Sequence, residues 1–252
     1  MAATADDTEE HPGAPAAAPA PRRRGTGRVA AAVSFFGEFL ITAGLVLGLF
    51  VVYSLWWTNV VADRTAHKQA DKVRDDWAQG PSSSGPGALD TKDGIGFLHV
   101  PSMKNGEVLV EKGTSTNVLN DGVAGYYTDP VKATLPTSGK KGNFTLAAHR
   151  DGHGAKFHNI DKVEKGDPIV FETKDKWYVY KVYAVLPETS KYNVRVLTSV
   201  PKESGVKKPG HYITLTTCTP VYTSRYRYVV WGELVRVDRV DSRRTPPKEL
   251  RG

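Results

Sequence analysis

Apolar and polar residues alternate repeatedly with a period of two in residues 94–240, and this period constrains the fold of the 252-residue chain more than any other feature. Successive side chains of a β-strand point to opposite faces, so the alternation indicates strands with one buried face. Turn residues separate seven such segments, which are 95–100, 107–113, 143–149, 168–173, 177–186, 212–217 and 226–237. Seven or eight strands with few helical patterns predict an all-β domain, either a single barrel or a sandwich.

A second feature is the uncharged apolar run of nineteen residues from Phe39 to Trp57. As a helix it would extend roughly 28 Å, enough to cross the hydrocarbon core of a bilayer. Trp56 and Trp57 end the run, where aromatic residues favour the membrane interface. A cleaved signal peptide is the alternative, but its apolar region is shorter and ends at a small-residue site. We therefore predict one N-terminal transmembrane anchor over 33–59.

These two features divide the chain into five parts. Residues 1–32 are rich in Ala, Pro and Arg and predict a disordered tail. Residues 60–93 predict a charged, solvated helical stalk and then a Gly/Ser/Pro-rich flexible linker. The β-domain covers 94–240, and residues 241–252 form a C-terminal tail. Four basic residues lie on each side of the anchor, so the positive-inside rule assigns no orientation.

The net charge of +7 suits contact with an acidic surface, such as anionic lipid or an anionic cell-wall polymer. The basic residues are spread over several short clusters. No aromatic RNA-binding motif and no helix-turn-helix accompanies them, so we expect no nucleic-acid partner.

Cys218 is the single cysteine of the chain, which excludes an intramolecular disulfide. Such a thiol is either a buried packing residue or a nucleophile. A nucleophile needs a basic neighbour and a donor for the oxyanion that it creates. His149 suits the first role, because it ends a strand-like segment and begins a loop. Arg225 and Arg227 follow Cys218 in a Tyr/Arg alternation, which fits either an oxyanion donor or the solvated face of an edge strand.

The loop after the strand-like segment 143–149 also raises the question of a metal. His149, His153 and His158 are spaced four and five residues apart. Gly152 and Gly154 argue against a helix there, and no cysteine or carboxylate partner completes a zinc site. We predict neither a metal nor another cofactor.

Three segments together resemble a known family. Thr214–Cys218, TLTTC, resembles the TLxTC signature of sortases, the membrane-anchored cysteine transpeptidases of Gram-positive surfaces. GNFTLAAHRDG (142–152) is similar to the segment that carries the sortase histidine, and RYVVWGEL (227–234) to the strand that bears the arginine. The resemblance covers about 94–238 and implies a closed sortase-like barrel of about eight strands. It also implies the catalytic residues Cys218, His149 and Arg227, with Arg227 preferred to Arg225.

The TCTP ending, the HRDG segment and the N-terminal anchor are most similar to class E, the housekeeping type of high-GC actinobacteria, with class D as the other possibility. The implied reaction is a two-step acyl transfer. Cys218 attacks the Thr–Gly carbonyl of an LPxTG- or LAxTG-like sorting signal on a surface protein. An amine of a lipid-linked peptidoglycan precursor then resolves the thioacyl-enzyme.

The resemblance further implies substrate contacts by Thr217 and by one of Tyr126 and Tyr127, since adjacent strand residues cannot both face one groove. It implies a cytoplasmic tail and an extracellular catalytic domain in the cell membrane. A hydrolytic thiol protease and a non-catalytic, membrane-tethered β-domain that binds a wall component are the alternatives.

Overall fold

The structure, a computed structural model, describes residues 27–79 and 94–251. Two units are distinguished, Met1–Phe50 and Val51–Gly252. The helices and strands in chain order are α1 (Arg28–Gln79), β1 (Gly96–His99), β2 (Glu107–Lys112), α2 (Thr116–Leu119), β3 (Ala124–Tyr126), β4 (Gly142–Ala147), β5 (Pro168–Glu172), β6 (Lys176–Ser190), β7 (His211–Thr219) and β8 (Tyr226–Arg239).

The eight strands form a closed barrel in the order β1-β2-β3-β4-β7-β8-β6-β5, and β5 pairs with β1. The β2–β3 and β4–β7 pairs are parallel, whereas the other neighbours are antiparallel. The predicted closed barrel is thus confirmed, and its closure leaves no open edge among the eight described strands. The short strand β3 was not among the seven segments, because three residues cannot display a period.

The interior of the barrel is filled by the inward-facing side chains of its strands. On β7 these are Ile213 and Leu215, both fully buried, and on β8 they include Val230. Side chains alternate across a strand, so Thr216 and Cys218 lie on the outer face of the barrel. The outer face of β7 therefore carries the cysteine, while its inner face holds the core.

Helix α1 contains the one segment of the described residues that is long and apolar enough to cross a membrane. That segment was predicted to end near residue 59, and the helix continues without a break to Gln79. It begins at Arg28, inside the range predicted as a tail. Residues 1–26 and the Gly/Ser/Pro-rich part of the linker, 80–93, lie outside the described residues.

The stalk portion of α1 is packed against the barrel and is not solvated on all sides. Its buried stripe repeats every three or four residues and consists of Ala62, Ala66, Ala70 and Val73, followed by the partly buried Trp77. The stripe meets Phe97, Leu109 and Val123 of the barrel. Alanine contributes little to a hydrophobic pattern, so the sequence of this segment predicted a solvated helix. The same small side chains allow the helix to approach the barrel closely.

A buried carboxylate joins the stalk and the C-terminal segment to the barrel. Glu172, 1% exposed, accepts hydrogen bonds from Arg74 of α1 and from Arg244. His99 Nε2 lies 3.0 Å from the same carboxylate. The residues predicted as a C-terminal tail are therefore packed against the domain. These partners outweigh the desolvation of burial and lower the pKa of Glu172 to about 2.

Glu172→Gln should lower the free energy of unfolding by about 2–3 kcal/mol, because two arginines lose their buried partner. The pKa of Glu172 lies below its ordinary value, so the carboxylate stabilises fully above about pH 4.5 and loses its effect as the pH falls towards 2. Urea unfolding of the full chain in detergent should therefore show a large difference at neutral pH and a smaller one near pH 3.

The matched control is Glu107→Gln, which removes an exposed partner of the same Arg74 at 2.8 Å. Exposed ion pairs contribute less than about 1 kcal/mol, so this change should be small. Equal losses from the two variants would contradict a special role for the buried carboxylate.

Candidate active site

Strands β7 and β8 bring the cysteine and one arginine face to face. The antiparallel register pairs Cys218 directly with Arg227. The connection between the strands is short, and Arg225 falls within it, before β8 begins at Tyr226. Arg225 is exposed, and its guanidinium lies 5.7 Å from the ring of Tyr226. Of the two candidate arginines, Arg227 is the one beside the thiol.

The parallel pairing of β4 with β7 carries His149 towards the same end of the barrel. The last paired residues are Ala147 and Thr216, so two further residues along each chain lead to His149 and Cys218. The Oγ1 of Thr217 donates a 2.7 Å hydrogen bond to the carbonyl of Ala148 and holds the two segments together beyond the ladder. His149, Cys218 and Arg227 therefore lie at one end of three adjacent strands, β4, β7 and β8.

The imidazole of His149 is half-buried and oriented by a neighbouring turn. Its Nε2 donates to Oδ1 of Asn120 at 2.9 Å, which leaves Nδ1 outside that bond. Burial lowers the pKa of His149, and nearby His153 lowers it further, whereas Asp151 raises it. The neutral imidazole is therefore favoured at neutral pH. Asn120 follows α2 in a loop, and no local sequence signal marked it as a partner of His149.

The guanidinium of Arg227 is anchored by its own backbone region. Its Nη1 donates to the carbonyl oxygens of Tyr226 at 2.9 Å and Ser224 at 3.3 Å. The side chain is half-buried on the outer face of the barrel. A planar fork fixed in this way can direct donors towards an oxygen near Cys218.

The structure separates the two adjacent tyrosines. Tyr126 is 7% exposed and belongs to the barrel core. Tyr127 lies on the other face, and its hydroxyl is 3.0 Å from Oγ1 of Thr216. The pKa of Tyr127 is raised overall, chiefly by burial and also by the nearby Cys218. The hydrogen bond with Thr216 and the charge of Arg227 act in the opposite direction and lower it. Tyr127 therefore stands beside Cys218 and Arg227.

Thr216 lies beside Cys218 in the candidate site and was not among the predicted site residues. It lies two residues before Cys218 and hence on the same face of β7, which is the signal that could have found it. Its Oγ1 donates to the carbonyl of Leu146 at 3.0 Å. Thr217, which was predicted to contact substrate, is 3% exposed on the opposite face and bonds Ala148. Its side chain joins strands beneath the site.

An apolar wall flanks the cysteine on the outer face. Val196 and Leu197 of the segment between β6 and β7 pack against Val229 and Trp231 of β8, and the partly buried Tyr127 packs on the same cluster. The indole Nε1 of Trp231 donates to the carbonyl of Val196 at 3.1 Å and fixes this segment. The site thus combines a thiol, an imidazole and a guanidinium with an adjoining apolar surface.

The histidine-rich loop does not form a group with metal-ligand geometry within the residues that the structure describes. His158 Nδ1 instead donates to the carbonyl of Arg150 at 2.8 Å. The one candidate group in those residues is His99, Glu107 and Glu172, at the end of the barrel near Arg74. Its carboxylates already bind Arg74, and Glu172 also binds Arg244, so arginines occupy the positions that a cation would need.

Comparison with known proteins identifies the family to which the chain belongs. The sortase domain model matches residues 98–235, more than half of the chain, which therefore belongs to the sortase family. It is 80% identical over 234 residues to sortase SrtE2 of Streptomyces coelicolor, covering 91% of this chain and 92% of that protein. Sortase E1 of the same organism, solved with a tripeptide in its active site, is 47% identical with a TM-score of 0.58. That match covers 62% of this chain and 96% of the solved one.

A third relative is sortase E from Streptomyces avermitilis, which is 32% identical with a TM-score of 0.54 and covers 62% of this chain and 96% of that one. Within the family, the chain belongs to class E, as the resemblance predicted in preference to class D. It is a cysteine transpeptidase of the kind that anchors surface proteins. This identity favours the transpeptidase over the hydrolytic protease and the non-catalytic binding domain.

Proposed function

We propose that Cys218 is the nucleophile of this transpeptidase, His149 its general acid and base, and Arg227 the donor to substrate and oxyanion. The observation that carries the proposal is the pairing of Cys218 with Arg227 across β7 and β8, beside the end of β4 from which His149 emerges. These three groups supply what thiol acyl transfer requires, which is a thiolate, a proton carrier and a fixed cationic donor.

In the first step, the thiolate sulfur of Cys218 attacks the carbonyl carbon of the threonine in a sorting signal. The carbonyl π-bond pair moves to oxygen, where Arg227 stabilises the negative charge. When the tetrahedral species collapses, the C–N bond to glycine breaks, and the glycine amine leaves with a proton from the His149 imidazolium. A thioester between Cys218 and the threonine remains.

In the second step, a primary amine of a cell-wall precursor attacks the thioester, and neutral His149 takes the surplus proton. The C–S bond breaks and regenerates the thiolate, while an amide joins the surface protein to the acceptor. Since burial lowers the pKa of His149, the imidazolium is a minor form at neutral pH. Activity should therefore have an acidic limb that lies below the ordinary histidine pKa.

The lipid-linked acceptor and the class fit an extracellular catalytic domain. In this arrangement, residues 1–32 would lie in the cytoplasm and the apolar part of α1 would span the membrane. Trp56 and Trp57, 62% and 41% exposed, would mark the outer interface. Accessibility of single cysteines placed at residues 10 and 191 to a membrane-impermeant thiol reagent, in a Cys218→Ala background, tests this topology. Labelling at residue 191 alone in intact cells is expected, and labelling at residue 10 alone would overturn it.

For the sorting signal we propose LAxTG, with Tyr127 as the side chain that favours alanine over proline. Tyr127→Ala should reduce the ratio of kcat/KM for an LAxTG peptide to that for an LPxTG peptide by about tenfold, because the shape of the groove beside Thr216 changes. Tyr126→Phe, a change inside the barrel core, is the matched control and should leave the ratio unaltered. An unchanged ratio in Tyr127→Ala would remove Tyr127 from the specificity site.

The function as a whole is tested with a fluorogenic LAxTG peptide, with and without an amine acceptor. We expect a ligated product that contains the acceptor, with cleavage faster when the acceptor is present. Cleavage that yields only the hydrolysed peptide across a range of amines would contradict acyl transfer to an amine.

A further inference from the structure

The stalk portion of α1 reaches the loop that follows His149. Oδ1 of Asn59 accepts a 2.9 Å hydrogen bond from the backbone N–H of Gly154. One turn further along the helix, Asp63 binds Nζ of Lys156 at 2.8 Å. The side chain of Lys156 is 15% exposed and that of Asp63 is 46% exposed, so the lysine end of the pair is shielded from water and the aspartate end is not. Two consecutive turns of α1 therefore hold the segment that begins at His149.

The same turns of α1 also touch the segment that orients the imidazole. Asn120 accepts the bond from His149, and Gly122 follows it by two residues. A Cβ on Gly122 would lie 2.9 Å from the carbonyl oxygen of Ala62, and a Cβ on Gly154 would lie 3.3 Å from Cα of Gly122. Three backbones therefore meet closely at two glycines whose φ values, 76° and 78°, also disfavour any other residue. This junction lies against Ala62, which is 2% exposed.

The loop held in this way has an unfavourable backbone conformation. Residues 152–155 all have positive φ, with values of 64°, 45°, 78° and 40°. Left-handed backbone costs roughly 1–2 kcal/mol for each residue with a Cβ, and two of the four, His153 and Ala155, have one. Such a turn persists only where surrounding contacts impose it. Asn59 and the Asp63–Lys156 pair are contacts of that kind, and the turn sets the ring of His153 5.5 Å from that of His149.

We propose that residues 59–63 of α1 are positioning residues for catalysis, which hold His149 in its working orientation through the 152–155 turn and the Asn120–Gly122 turn. The inference rests on the proposed role of His149 as acid and base. The docked segment begins two residues after Trp57 on the same helix, α1.

The test uses the full chain in nanodiscs and the double variant Asn59→Ala/Asp63→Ala. A small misplacement of a catalytic group can lower the rate roughly tenfold to a hundredfold, so we expect kcat for LAxTG ligation to fall by that factor. KM for the peptide should change by less than about twofold, because binding does not use His149. Asn59→Asp, which keeps an acceptor for Gly154 N–H, should retain the wild-type kcat.

The second readout is the titration of His149, followed by NMR of the isotope-labelled imidazole and assigned by its loss in His149→Gln. Release of the turn should expose the ring and move His153 away, so the pKa of His149 should rise towards its ordinary value in the double variant. Other polar and charged groups near the ring also bear on its titration. They are Asp151 on the same loop, neutral Asn120 after α2, Cys218 on β7, Arg227 on β8 and the Asp63–Lys156 pair at α1.

The matched control is Arg74→Gln, which loosens the far end of the same docked helix at Glu107 and Glu172. It should lower stability without changing the His149 titration or kcat. An unchanged His149 titration in the double variant, or the same shift in Arg74→Gln, would overturn the positioning role. Wild-type protein that titrates as described yet ligates no amine would instead overturn the proposed function, so the two failures are distinguishable.

Discussion

Cys218→Ala should abolish ligation of LAxTG peptides, with a loss of about 10⁵-fold or more, because no other thiol exists in the chain to form the thioester. The side chain is half-buried on the outer face of the barrel, away from the packed interior. Its removal should therefore alter the free energy of unfolding by less than about 1 kcal/mol. Steady-state ligation and urea unfolding of the full chain in detergent check the two halves of this result.

Thiol labelling provides the control for Cys218. Iodoacetamide should react with the folded protein and inactivate it in proportion to the labelled fraction, since Cys218 is partly exposed. A thiol that reacts only after unfolding would indicate a buried packing residue. Residual turnover of Cys218→Ala above about one hundredth of the wild-type rate would equally contradict covalent catalysis by this residue.

Arg227→Ala should reduce kcat/KM by about 10²–10³-fold, the usual effect of removing one oxyanion donor. Most of the loss should appear in kcat, because the charge that the guanidinium stabilises develops only in the transition state. Arg227→Lys should recover little activity, since a single ammonium cannot reproduce the planar fork that bonds the carbonyls of Ser224 and Tyr226. Peptide ligation kinetics for the two variants measure both effects.

Arg225→Ala is the matched control, because Arg225 has the same charge, lies two residues away and is exposed before β8. Its effect on kcat/KM should be within about threefold of wild type. Equal losses from the two arginines would mean that the pairing of Cys218 with Arg227 does not define the working geometry.

The barrel could be predicted because its strands have one face in the core. The alternation along 212–217 and 226–237 follows directly from Ile213, Leu215 and Val230 pointing inward. That same alternation places Cys218 and Arg227 outward, so the faces of both residues were available from the sequence. Their pairing was not, because the register between β7 and β8 depends on the length and conformation of the connection.

The contacts of the stalk could not be predicted from pattern alone. Three alanines form most of its buried stripe, and small residues give a weak hydrophobic pattern beside the many charges of 60–79. The sequence predicted that Arg74 is a solvated charge. In the structure it binds the buried Glu172, which lies 98 residues further along the chain. Long-range ion pairs of this kind leave no trace in local periodicity.

The partners of His149 illustrate the same limit. The histidine itself was evident from its place at the end of a strand-like segment. Asn120 and Asn59 lie in distant segments, and they meet the His149 loop only because Gly122 and Gly154 allow three backbones to approach closely. Thr216 was accessible through the period of two, whereas the environment that lowers the pKa of His149 required the assembled structure.

The most direct test of the account is the intact mass of the full chain after a brief incubation with an LAxTG peptide and no amine, followed by acid quenching. We predict a mass increase equal to the peptide fragment that ends at threonine, located on Cys218 by fragmentation and removed by hydroxylamine. Trapping should fail in Cys218→Ala. Turnover of the peptide without any adduct, or an adduct on another residue, would contradict a thioacyl-enzyme at Cys218.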